Sequence, residues 1–294
     1  MSAGLFDRVA LIGVGLIGSS LARVLRRDWP ETAIIACARS AETLATVRRL
    51  GLADETHDDP VAAVKGADLV VIATPLSAYA EIGRRIAPAL REGAIVTDVG
   101  SVKGAAIAAL GPELPSRVHF VPGHPVAGTE HSGPEAGFAE LFRDRWCILT
   151  PTPETAPEAV SKITRLWEKA GMRVVTMEAE HHDKVLAVTS HLPHLIAYTI
   201  VGTATELGED LQSEVVAFSA GGFRDFTRIA ASDPVMWRDI FLENRDAVLE
   251  LLQRFTEDLT ALQRAIRRGD GETLHTWFTR TRAIRRSIIE AKQA

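Results

Sequence analysis

The sequence predicts an α/β fold in two parts: a doubly wound parallel β-sheet over residues 1–178, then an all-helical domain over residues 179–294. Three observations carry this. Short Val/Ile-rich runs alternate with longer amphipathic segments as far as residue 177. The short runs are apolar throughout, as suits strands covered on both faces. Beyond residue 178 the strand-like runs vanish and helical periodicity takes over. At 294 residues with 46% hydrophobic and 24% charged side chains, the chain has material for two cores and too much apolar surface to stay disordered.

In chain order, strands are expected at 8–13, 33–38, 67–73, 94–98, 117–122, 147–150 and 173–176, with helices at 16–26, 41–50 and 77–90 among them. The stretch 127–145 carries Gly128, Gly133 and Gly137, breaks the alternation and reads as an insertion folded over a site. Helices are then expected at 180–207, 210–220, 234–268 and 272–292, the third opening on Asp233 as N-cap and Pro234 in the first turn. The 234–268 helix offers apolar positions from Val235 and Ile240 to Leu259 and Ile266. That is more than about 115 residues of helix can bury alone, so a two-fold homodimer through the helical domain is expected.

Charge and cysteine content narrow the class. With 33 basic and 38 acidic side chains the net charge is -5, which recruits no polyanion, so no nucleic-acid partner is expected. The Arg280, Arg282, Arg285 and Arg286 cluster reads as a solvated helix face. Cys37 and Cys147 fall inside strand-like runs and read as buried, reduced thiols. No signal pattern opens the chain and no stretch reads as a span of about 20 apolar residues, so the expected location is cytoplasmic, without a membrane.

The first strand runs into Gly13-Val14-Gly15-Leu16-Ile17-Gly18 and then a helix. In that setting Gly13 permits a tight turn, Gly15 lets backbone approach a pyrophosphate, and Gly18 lets helix and strand pack closely. The helix N-terminus adds unpaired N–H groups and a partial positive charge. A Rossmann-type dinucleotide site is therefore expected. After the second strand, the carboxylate that would select the ribose hydroxyls of NAD is replaced by Arg39 and Ser40, beside Cys37-Ala38. A guanidinium and a hydroxyl suit a 2′-phosphate, so the reading leans to NADP over NAD; Arg39 stacked on adenine suits either. Thr74 and Pro75, and Ser101 after Asp98-Val99-Gly100, lie at strand carboxyl ends, where ligands sit on open α/β sheets. Ser101 reads as a hydroxyl toward the nicotinamide or as an ordinary helix N-cap.

His124, held between Gly123 and Pro125 beyond a strand, is the expected general base toward an alcohol; a surface-loop histidine is the alternative. His191 and His194 share a helix side, with His181-His182-Asp183 upstream, but neither an HExxH motif nor a cysteine set accompanies them. No metal is expected; substrate contact by at least one histidine is. Pro193 should disturb its helix. Arg228 is an apt carboxylate clamp, against the alternative that Arg224 or Arg228 pairs with Asp225. Trp237 reads as a pocket wall or as a core tryptophan.

Together these residues resemble the prephenate/arogenate dehydrogenases of tyrosine biosynthesis. The resemblance rests on Gly13–Ser20, Asp98–Lys103, Gly123–Glu130, His191–His194 and Gly222–Ala230, which occur in the family's order. It implies oxidative decarboxylation of a cyclohexadiene that carries a ring hydroxyl opposite a ring carboxylate. On that resemblance His124 accepts the hydroxyl proton, Ser101 aligns hydroxyl and cofactor, Arg228 anchors a carboxylate, and His194 shares the pocket. Thr129, Glu130 and Trp237 border the cleft, and the family dimerises through its helical half. The family often ends its second strand with an acid, from which Ala38-Arg39-Ser40 departs. No fused mutase or regulatory segment is expected. A β-hydroxyacid dehydrogenase or imine reductase would want an asparagine near Lys184, but Asn244 is the chain's single asparagine. A non-catalytic NAD(P) sensor would have no use for His124, Ser101 and Arg228.

Overall fold

The computed structural model describes residues 4–206 and 221–290; the helix expected at 210–220 lies outside the described residues. Six short strands form one sheet: β1 Arg8–Ile12, β2 Ala33–Cys37, β3 Glu55–His57, β4 Leu69–Ile72, β5 Ile95–Asp98 and β6 His119–Val121. All pair in parallel, in the order β3-β2-β1-β4-β5-β6. This is the Rossmann arrangement, with its crevice where the order reverses between β1 and β4. Alternate strand residues serve opposite faces. Val9, Leu11, Leu69 and Val71 pack on one side with Leu21, Leu25, Ile163 and Trp167. Ala10, Ile12, Val70 and Ile72 pack on the other with Tyr79, Ile86 and Leu110. Coverage of both faces is why these strands read as unbroken apolar runs.

The helices around this sheet are α1 Leu16–Asp28, α2 Ala41–Arg49, α3 Pro60–Ala63, α4 Tyr79–Ile86, α5 Lys103–Leu110 and α6 Pro157–Lys169. Two expectations for this half need correction. Strand β3, a polar Glu-Thr-His segment at the sheet edge, lacks the apolar run that would announce it. The strands at the end of this half do not extend the parallel sheet. They form a second, three-stranded mixed sheet in which β7 Gly123–Val126 runs antiparallel to β8 Trp146–Leu149, itself parallel to β9 Arg173–Thr176. His124 therefore sits within a strand, not in a loop beyond one. Pro125 is tolerated because β7 is the edge of that sheet, where a missing N–H costs little. The 127–145 stretch docks on α1: Arg23 donates to Pro134 O at 3.2 Å and Phe138 N–H to Ser20 Oγ at 3.1 Å.

Among the described residues every element after β9 is helical: α7 Ala179–Leu186, α8 Leu192–Thr205, α9 Gly221–Thr227, α10 Pro234–Glu243, α11 Arg245–Arg268 and α12 Gly271–Glu290. The disturbance expected of Pro193 takes the form of a π-type turn, Ala187–His191, in which Leu192 N–H reaches Ala187 O. The single helix expected over 234–268 breaks at Asn244, whose φ of -105° and ψ of 31° end α10. By compactness the chain divides into Met1–Arg245 and Asp246–Ala294. Several positions expected to be buried are exposed in the single chain, among them Val235, Leu259 and Ile266. Contrary to the sequence reading, Ala179–Ala204 is long and apolar enough to cross a membrane by length and composition alone. That segment carries buried His182 and His191, and both belong to a polar network described below.

Candidate active site

The glycine turn is built for close approach. Gly13 has φ +96°, and a Cβ there would lie 2.4 Å from Ala73 O. A Cβ on Gly18 would lie 2.2 Å from Gly13 O, so neither position admits a side chain. Gly15, by contrast, faces nothing within 4 Å. Helix α1 begins with no side-chain cap and no acidic residue in its first turn, which leaves its N–H groups and positive end for an anion. Val14 is buried, and Leu16 and Ile17 pack against the core, so these residues offer backbone to a ligand. Thr74 Oγ1 is buried without a partner among the described residues, and Pro75 is exposed beside it. An open cradle, a free helix terminus and an orphaned hydroxyl at the strand ends fit a dinucleotide. Arg39 is exposed, and Ser40 caps α2 by accepting the Thr43 N–H at 3.3 Å, which leaves its own O–H proton to donate.

Next along the rim, β5 ends in Asp98, which β4–β5 register sets beside Ile72. Asp98 and Lys103 are both fully buried and pair at 2.5 Å. Asp98 Oδ2 also accepts from Tyr79 Oη at 3.1 Å and Gly100 N–H at 2.9 Å, and Oδ1 accepts from Gly123 N–H at 3.1 Å. Lys103 Nζ donates in turn to Gly123 O at 2.6 Å. The ion pair thus holds both backbone groups of the residue before His124. Burial pushes the Lys103 pKa down, and the Asp98 charge opposes that.

His124 is 7% exposed. Its Nδ1 lies 2.8 Å from His182 Nε2, and His182 Nδ1 lies 2.8 Å from Asp183 Oδ1. Asp183 also accepts the N–H groups of Lys103 and Gly104, each at 2.8 Å. A carboxylate from α7 therefore caps α5. That removes the N-cap alternative for Ser101, which is half-buried and takes no part in capping. Burial first, then the charges of His182, Lys103 and His191, hold His124 well below the ordinary imidazole pKa. Burial likewise lowers His182, and it brings His191 down to about 4.

The helical residues close the arrangement. Asn244 Nδ2 donates to Asp183 O at 2.9 Å and lies 3.0 Å from His191 Nδ1. The His194 ring stacks on Trp237 with centroids 3.6 Å apart and planes 22° apart, while its Nδ1 lies 2.8 Å from Ser190 O. Trp237 is buried: it packs with Val102 and Ile240, and its ring stacks on His194. Arg228 pairs with Glu130 Oε2 at 3.0 Å and not with Asp225, which pairs with Arg224. Thr129 Oγ1 accepts the His131 N–H at 3.2 Å and shapes the turn that carries Glu130. Among the described residues no group of three or more His, Cys, Asp or Glu can hold a metal ion.

Residues 21–176 match the model of the prephenate dehydrogenase nucleotide-binding domain, and residues 178–280 that of the prephenate dehydrogenase dimerization domain. The chain belongs to the prephenate/arogenate (cyclohexadienyl) dehydrogenase family. This dehydrogenase is 43% identical over 283 residues to the cyclohexadienyl dehydrogenase of Zymomonas mobilis subsp. mobilis, covering 96% of each chain. Its fold matches the crystal structure of prephenate dehydrogenase from A. aeolicus in complex with hydroxyphenyl propionate and NAD+, with a TM-score of 0.88, 36% identity, and coverage of 98% and 99% of the two chains. The Synechocystis arogenate dehydrogenase matches with a TM-score of 0.77 and 28% identity, over 95% and 99% of the chains.

Several residues of this network in the dehydrogenase have partners that the local sequence does not announce. Asp98 and Lys103 stood in a motif, but nothing local shows that they form a buried pair. His182 and Asp183 stand in a His-His-Asp run that gives no local sign of a bond to His124, and Asn244 has no local sign of one to Asp183 or His191.

Proposed function

We propose that this dehydrogenase oxidatively decarboxylates prephenate or arogenate in tyrosine biosynthesis, with His124 accepting the proton of the ring hydroxyl. The observation that carries the reading is His124 itself: a buried, neutral imidazole that follows Gly123, which Asp98 at the buried end of β5 and Lys103 hold, with its Nδ1 engaged by His182. A neutral imidazole that donates from Nδ1 keeps the lone pair of Nε2 to take a proton. When bound, NAD(P) supplies the hydride acceptor for the carbon that bears the hydroxyl. As that carbon loses hydride and its oxygen loses the proton to His124, the ring carboxylate leaves as CO2. The electrons of the broken C–C bond complete an aromatic ring, which makes the step effectively irreversible.

The other residues bind and orient. Ser101 aligns the hydroxyl, Trp237 and His194 wall the pocket, and Thr129 and Glu130 border it. Arg228 anchors a substrate carboxylate. Its pairing with Glu130 supports this role, since an exposed ion pair is worth about 0–1 kcal/mol and gives way readily to a better-placed anion. Binding energy gathered at a remote carboxylate then positions the reacting carbon. Arg228→Gln is expected to raise the substrate KM about tenfold or more with a smaller change in kcat, since a charged hydrogen bond is worth about 1.5–3 kcal/mol. Steady-state kinetics reporting a defect in kcat alone would refute the anchor.

Arg39 and Ser40, standing where an NAD-selective site places a carboxylate, support NADP as the preferred cofactor. Absorbance at 340 nm, followed with prephenate, arogenate and a hydroxyacid panel, tests the whole reading. Turnover of a cyclohexadiene is expected, with a higher kcat/KM for NADP than for NAD. Turnover of a hydroxyacid alone would overturn the reaction, and an NAD preference would overturn the cofactor assignment. A two-fold dimer through the helical half is supported by Leu249, Leu259 and Ile266 on α11 and Phe278 and Ile284 on α12, all exposed in the single chain.

A further inference from the structure

We infer that His182 and Asp183 are positioning residues for the reaction: a hydrogen-bonded relay, Asp183–His182–His124, that fixes the tautomer of His124 and leaves its Nε2 as the bare proton acceptor. The inference rests on the reading of His124 as base and adds two residues to which that reading gives no part. The donor count decides the tautomers. The Asp183 carboxylate accepts from the backbone of Lys103 and Gly104, so against the same carboxylate His182 must present Nδ1–H. A neutral His182 then has a lone pair at Nε2. That lone pair, 2.8 Å from His124 Nδ1, requires His124 to donate there. The one nitrogen of His124 left without a proton is Nε2.

The support for the relay is rigid. Asp183 is held by its two bonds to the start of α5, the helix that follows Ser101. Its backbone carbonyl is held by Asn244. His182 has no exposed side-chain surface, so its ring is held by packing as well as by its two bonds. When His124 takes the hydroxyl proton at Nε2, its Nδ1–H stays bonded to His182, with the Asp183 carboxylate behind it. The new positive charge is thereby spread toward an anion without any proton leaving His124.

The experiment compares His182→Leu, His182→Gln and His124→Asn in the full chain, with kcat and KM measured for substrate and cofactor. His182→Leu is expected to lower kcat by about 10–100-fold with both KM values within about threefold of wild type. Glutamine can accept from His124 through its amide oxygen and donate to Asp183 through its amide nitrogen, so His182→Gln is expected to recover most of that loss. Full loss in both His182 variants would overturn the relay. So would an unchanged kcat in His182→Leu while His124→Asn is inactive; that pattern leaves the base reading standing. Active His124→Asn would remove the base, and the relay with it. Should His182→Leu fail to fold, nitrogen chemical shifts of 15N-histidine-labelled wild type decide the matter. Both His124 and His182 are expected with the proton on Nδ1, and a proton on Nε2 of His124 would overturn the relay.

Discussion

Replacing His124 with asparagine is expected to lower kcat by about 10²–10⁴-fold while cofactor affinity changes little. Asparagine can preserve a polar contact to His182 but has no basic nitrogen, so the substitution removes the proton acceptor and leaves the surrounding wall in place. The cradle at Gly13–Gly18 is formed by β1 and α1 and does not involve this side chain. The pH dependence follows from burial. Because His124 is held well below 6.5, the ring stays neutral and able to accept a proton at every pH above that lowered value. The acid limb of kcat/KM is therefore expected below pH 6.5. Turnover unchanged in His124→Asn would remove this residue from the mechanism; an acid limb at or above 6.5 would contradict its burial.

The second large effect concerns stability. Asp98→Ala is expected to cost about 3–5 kcal/mol, measured as a shift in the denaturant midpoint, because it leaves a fully buried ammonium without its counter-ion. It also strands donors on Tyr79, Gly100 and Gly123 that now end on the carboxylate. Adding Lys103→Met should restore part of the loss, since an apolar side chain needs no partner there. The non-additivity of the two changes measures their coupling. A loss below about 1 kcal/mol in the single variant would mean that the Lys103 amine is not charged in the fold. Because the pair also holds Gly123, activity is expected to fall along with stability.

The residues that were legible in the sequence are those whose chemistry is local. Gly13, Gly15 and Gly18 announce a turn because spacing and steric need coincide within six residues. Arg228 and His124 could be singled out because a guanidinium or an imidazole in a glycine- and proline-bounded segment is unusual by itself. The strand β7 was not legible, since Gly-His-Pro-Val has the composition of a loop and becomes a strand only where β8 offers it an edge. The helix break at Asn244 was hidden for a related reason. The apolar period continues on both sides, and what stops the helix accompanies side-chain bonds to Asp183 and His191.

By itself, then, the sequence determined the alternation of strand and helix, the dinucleotide turn and the candidates for the reactive side chains. These depend on neighbours a few positions apart, where periodicity and backbone sterics act. Only the tertiary structure decided that Asp183 caps a helix some eighty positions upstream, that His182 meets His124, and that Glu130 meets Arg228. Such contacts join groups far apart along the chain. Their strength comes from shared burial, which exists only once the sheet and helices have packed.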